Sequence, residues 1–142
     1  MDEKKLMQSG APSPELWLRE AKAAPEAEKC GMYLLHNGVV RRTPRAEVRE
    51  GKRNLGSVEG MRFDYEPRGV EKAVDATRGM PGIYYVRVWL NRGSLRVGDD
   101  IMLVLIGGDI RPRVVDALQF LVGELKSHCV SERELIPEIG ED

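Results

Sequence analysis

Residues Asp100 to His128 read DIMLVLIGGDIRPRVVDALQFLVGELKSH, and the fold is decided here. The apolar run Ile101 to Ile106 has the length and composition of a buried strand, and Gly107-Gly108 reads as a tight turn after it. From Pro112 the period changes. Val114, Leu118, Leu121 and Leu125 recur every three or four residues, while Arg113, Asp116, Gln119, Glu124 and Lys126 take the other sides. A proline suits the first helical turn, where its missing N–H would have been unpaired anyway, and Lys126 and His128 suit the negative end of the helix dipole. The stretch predicts strand, turn, helix. Arg111 and Lys126 stand at opposite ends of that helix, about 22 Å apart at roughly 1.5 Å per residue, so within one chain they cannot touch one small ligand together.

Working outward, Ser13 reads as the N-cap of a short covering helix, with Pro14 in its first turn and Leu16 and Ala23 on its inner side. Gly31 to Val40 is a strand in which Asn37-Gly38 predicts a bulge or a close backbone approach. Val58 to Tyr65 is a second strand, leading into a helix over Val70 to Thr77 and a turn at Gly79-Met80-Pro81-Gly82. Ile83 to Arg92 alternates as a third strand, and Gly93 to Asp99 is a compact connection into the Asp100 stretch. The interleaving predicts an α+β domain with a mostly antiparallel sheet and three helices. Residues 1–12 form a flexible N-terminus, and the final SERELIPEIGED is an acidic tail, loose or docked on a partner.

A chain of 142 residues with 42% hydrophobic content is the size of one domain with a real core. A net charge of −1 favours neither nucleic acid nor a membrane surface, so any charge-driven chemistry has to be local. No signal-peptide core or membrane-length apolar run occurs, and the expected location is the cytoplasm. Cys30 and Cys129 lack metal-ligand spacing and are expected as free thiols, without a disulfide, a metal or a cofactor.

Phosphate-loop, dinucleotide, GxSxG and HExxH patterns are absent. His36, inside a strand pattern, reads as a structural histidine. What remains is cationic. The loop Arg41 to Arg53, RRTPRAEVREGKR, carries six cationic residues against two acidic ones, either as a solvated connection or as an anion site anchored by Arg41. Arg111 and Lys126 are the other cations at element ends. As a nucleic-acid contact the loop lacks interleaved aromatic residues.

In order and spacing these patterns resemble the large, catalytic subunit of molybdopterin synthase. Gly38-Val39-Val40-Arg41 is similar to that family's Gly-Thr-Val-Arg, and Phe63 to Val74 (FDYEPRGVEKAV) resembles its strand-to-helix segment. Asn91 to Ile101 (NRGSLRVGDDI) resembles its Arg-x-Gly-x-Leu-x-x-Gly-Asp turn with one residue fewer, and Arg111 to Lys126 (RPRVVDALQFLVGELK) its last helix. The resemblance covers residues 13–134 and leaves 135–142 as the tail. It implies an α/β hammerhead-type fold, a homodimer, and a small ubiquitin-like subunit at each end. That subunit's C-terminal Gly-Gly thiocarboxylate would give sulfur to cyclic pyranopterin monophosphate, forming molybdopterin. By the same resemblance Lys126 is the catalytic lysine, and Arg41 and Arg111 bind substrate phosphate; because the helix separates Arg111 from Lys126 within one chain, Arg111 is expected in the partner copy's pocket. Two positions depart from the family. Its His-Arg pair is Ile110-Arg111, and its second lysine falls at Glu132 or at Arg133, which would keep the charge as a weaker catalytic substitute. The alternative is a non-catalytic relative, a dimeric binding or regulatory module for the small subunit or a pterin.

Overall fold

A computed structural model describes residues 10–45 and 56–136. In chain order the elements are α1 (Pro14–Lys22), a 3-10 turn (Ala27–Lys29), β1 (Met32–Val39), β2 (Gly60–Tyr65), α2 (Pro67–Arg78), β3 (Ile83–Leu90) and β4 (Gly93–Arg96). They continue with β5 (Asp100–Gly108), α3 (Arg111–Glu124), a π-helical turn (Leu125–Cys129) and β6 (Val130–Leu135). The α+β class and the three helices are as expected. The strands form two antiparallel three-stranded sheets where one was expected, ordered β1-β5-β3 and β4-β2-β6.

β5 is buried along nearly its whole length, between β1 and β3. Gly107-Gly108 is not a turn; the strand runs through it. A Cβ at Gly107 would lie 2.6 Å from the Tyr33 ring, and one at Gly108 would lie 2.6 Å from the Gly82 carbonyl oxygen. The glycines are there because neighbouring groups press against the backbone, not because it reverses. The bulge expected at Asn37-Gly38 is present, as a register shift between Gly38 and Val39 against β5.

The helices close the faces of the first sheet. α1 starts at Ser13, whose hydroxyl accepts from the Leu16 N–H. Its buried residues are Trp17 and Ala21, on Leu103 and Leu105, rather than the expected Leu16 and Ala23, which are exposed. The Arg87 guanidinium lies 4.5 Å over the Trp17 ring, so a cation stacked on an aromatic face helps choose which side turns inward. α2 begins three residues before the expected helix because the Glu66 carboxylate caps the Gly69 N–H at 2.7 Å and Pro67 opens the first turn. α3 buries Val114, Ala117 and Leu121 completely, and Leu125 of the π-helical turn continues the stripe, so Ala117 stands in it and Leu118 lies beside it. These residues share one core with Val104 and Ile106 of the first sheet and Met61, Phe63 and Leu95 of the second.

Two segments expected to be irregular are strands. The connection Gly93 to Asp99 contains β4, and residues 131–135 of the acidic tail belong to β6, which pairs with β2 from Gly60↔Leu135 to Tyr65↔Val130. The N-terminus expected to be flexible and the rest of the tail lie largely outside the described residues, as does the basic loop beyond Arg45. Both cysteines are free, Cys129 within the core. No described helix is long and apolar enough to cross a membrane.

Candidate functional site

A cavity of about 230 Å³ opens where the two sheets meet. Its walls are His36, Gly38 and Val39 of β1, Arg41 and Arg45 from the segment that follows, and Met61 of β2. Ile101 and Met102 of β5, Lys126 of the π-helical turn, and Glu132 and Glu134 of β6 complete it. Each polar group is held by an ordered element. The bulge after Gly38 ends the regular β1–β5 pairing, and Val40 turns into the core, tied by its N–H to the Asp99 carbonyl at 3.0 Å. Arg41 therefore leaves a fixed backbone, and its Nε donates to the Thr43 carbonyl at 2.9 Å. On the facing wall Leu125 is fully buried, so the next residue, Lys126, starts from an anchored turn and carries its amine outward. Widened π turns of this kind recur at functional sites.

The charges are not paired evenly. Glu132 accepts from the Arg45 guanidinium at 2.8 Å, and Glu134 accepts from the Arg45 backbone N–H at 3.0 and 3.2 Å. Arg45 thus ties the loop to β6 and is neutralised in doing so. Arg41 and Lys126 have no carboxylate partner among the described residues. Two cations that face one cavity with no carboxylate partner among the described residues make a receptor for an anion such as a phosphate, with a primary amine beside it. His36 shares that space. Burial and, second, the charge of Lys126 hold its pKa below the usual histidine value, so the ring is neutral at neutral pH. Among the described residues no three His, Cys, Asp or Glu side chains gather as metal ligands.

Of the four residues singled out in the sequence, the fold brings Lys126 and Arg41 together and leaves two outside the cavity. Arg111 opens α3 at the far end, exposed, beside an Ile110 that is 52% exposed. Arg133 is on β6, but strand alternation turns Glu132 and Glu134 toward the cavity and Arg133 to the opposite, exposed side, across from Arg62. Of the two positions, Glu132 is the one that faces the cavity. Sequence reading missed Arg45 and Glu134 and took His36 for a structural residue. The alternation of Glu132 and Glu134 was the available signal, in a segment read as tail.

The family described as MoaE protein matches residues 13–128. Among curated proteins none matches the sequence. Among the solved structures that share the fold are the following three. Molybdopterin synthase from Staphylococcus aureus has a TM-score of 0.63 at 15% identity, over 79% of this chain and 79% of that one. A complex of subunits 1 and 2 of molybdopterin-converting factor from Helicobacter pylori has 0.62 at 16%, over 98% and 82%. The molybdopterin biosynthesis MoaE protein from Burkholderia ambifaria has 0.64 at 19%, over 92% and 87%.

Proposed function

The chain belongs to the MoaE protein family of molybdenum cofactor biosynthesis, and from that premise we propose that it is the sulfur-transferring large subunit of a molybdopterin synthase. The observation that carries this reading is that Lys126 shares one cavity with Arg41, both without a carboxylate partner among the described residues. Arg41 offers a planar pair of N–H donors to the phosphate of cyclic pyranopterin monophosphate. The thiocarboxylate tail of a small ubiquitin-like subunit enters beside it and delivers sulfur, and the Lys126 amine serves as acid or base or takes up the acyl carbon left behind. The Helicobacter pylori complex supports a small-subunit partner. Arg111, outside the cavity of its own chain, serves the pocket of a second copy in a symmetric dimer.

The test is incubation with thiocarboxylated small subunit and cyclic pyranopterin monophosphate, scoring dithiolene product. Lys126→Ala is expected to lower the rate by about a hundredfold or more, in the range of a lost acid–base or nucleophilic group. Mixing Lys126→Ala with Arg111→Ala chains should restore part of it, because a mixed dimer keeps one intact pocket. Undiminished product from Lys126→Ala would overturn the mechanism. One observation favours a second reading: Glu132, a carboxylate, lines the cavity that holds Lys126. Small-subunit binding by a wild-type chain that forms no product would identify a non-catalytic module.

A further inference from the structure

The cavity holds one side chain for which sulfur transfer as proposed has no use. His36 sits half-buried on the inward face of β1, opposite the fully buried Val104 of β5, and opens on the same cavity as Lys126. The charged groups facing it are Arg41 and Arg45 from the segment after β1, Lys126 from the π-helical turn, and Glu132 and Glu134 from β6. Its ring nitrogens make no hydrogen bond among the described residues, and burial, with the Lys126 charge second, lowers its pKa. An imidazole is the one side chain of this set whose ordinary range for gaining and losing a proton is near neutrality. A lysine amine adds to a carbonyl only as the free base.

We propose that His36 is the proton-transfer partner of Lys126, taking a proton from its ammonium group before the amine adds to a carbonyl and returning that proton to the departing oxygen. The imidazole removes one N–H proton and frees the electron pair on nitrogen. That pair forms the C–N bond while the carbonyl π pair moves to oxygen, which takes a second proton from the same nitrogen. The imidazolium then protonates the hydroxyl, the C–O bond breaks, and water leaves. An iminium remains on Lys126 and the imidazole is neutral again. His36 acts through Lys126 and is a positioning and proton-transfer residue, not the nucleophile.

The inference rests on Lys126 as the reacting amine and is independent of sulfur transfer, so the probe is pyridoxal 5′-phosphate. Its aldehyde tests the amine and its phosphate suits Arg41. The full chain is treated with the probe across pH about 5 to about 8, where an imidazole titrates, reduced with borohydride, and the labelled residue located by mass spectrometry. Wild type is expected to label at Lys126, with a rate that falls below the lowered pKa of His36, where an imidazolium cannot accept a proton. His36→Gln should label at least about tenfold more slowly and lack that acid limb. His36→Ala should be rescued by free imidazole, which restores a proton acceptor but not a packing contact. Equal rates and pH profiles for wild type and His36→Gln, or a wild type unlabelled at Lys126, would overturn the proposal. A chain that labels as expected yet yields no dithiolene keeps this inference and loses the sulfur-transfer reading.

Discussion

The two sheets meet at one cavity and are built on opposite terms. The β1-β5-β3 sheet is covered on both faces: α1 lies on Leu103 and Leu105, and α2 and α3 close the side of Val104 and Ile106. The β4-β2-β6 sheet buries one face only. Met61, Phe63 and Leu95 point into the core, while Arg62, Ser94 and Arg96 point out. At its β6 edge even the inward face turns polar, with Glu132 and Glu134 held by Arg45. Stability is therefore concentrated in the first sheet, and the charge balance of the cavity is set by the edge of the second. Lys126 and Arg41 are anchored through the core, and the groups around them answer to β6.

Three substitutions would break or sharpen that contrast. Leu121→Ala removes a fully buried side chain from the helix that closes the first sheet, and is expected to lower unfolding stability in urea by about 3 kcal/mol. A loss below about 1 kcal/mol would deny that the support lies there. Gly60→Ala acts in the second sheet, where a Cβ would collide with the Leu95 carbonyl oxygen and push β2 from β4. The expected loss is about 1–3 kcal/mol, as for overpacking elsewhere. Hydrogen exchange should speed up in β2 and β4 and stay slow between β1 and β5; equal acceleration in both sheets would erase the distinction. Glu132→Gln should have the smallest effect on stability, at most about 1 kcal/mol, because Arg45 is nearly half exposed. It should nevertheless tighten binding of inorganic phosphate several-fold, by releasing a third cation to the cavity. Unchanged phosphate affinity, measured by calorimetry, would show that β6 does not set the cavity's charge.

The same contrast explains what was legible in the sequence. β5 and α3 announce themselves because burial imposes a period, and an unbroken apolar run followed by a three-to-four spacing has few other meanings. β4 is four residues long, and β6 presents Val130, Glu132 and Glu134 inward, so neither yields the apolar alternation that marks a strand. Trp17 was missed as the anchor of α1 because its partners, Leu103 and Leu105 beneath it and Arg87 over its ring, all lie far away in sequence. In the cavity, Lys126 and Arg41 could be singled out because they end regular elements. The tie from Arg45 to Glu132 spans 87 residues and leaves no local trace. His36 has nothing in its neighbourhood of sequence to separate it from an ordinary inward-facing strand residue; only the fold sets Lys126 beside it.

β2 lies between β4 and β6, and this bears on the order in which the molecule assembles. As the polypeptide is synthesised, β2 gains one neighbour after about thirty residues and the other only when residues 130–135 have emerged, pairings of high sequence separation that form slowly. Until then its second edge stays open to any extended peptide, and the Arg45 tie to the loop has nothing to close on. A ribosome-bound fragment ending before Val130 would carry the cationic side chains without the acidic wall that restrains them, and would be the stage at which stray anions and strand edges are hardest to keep out.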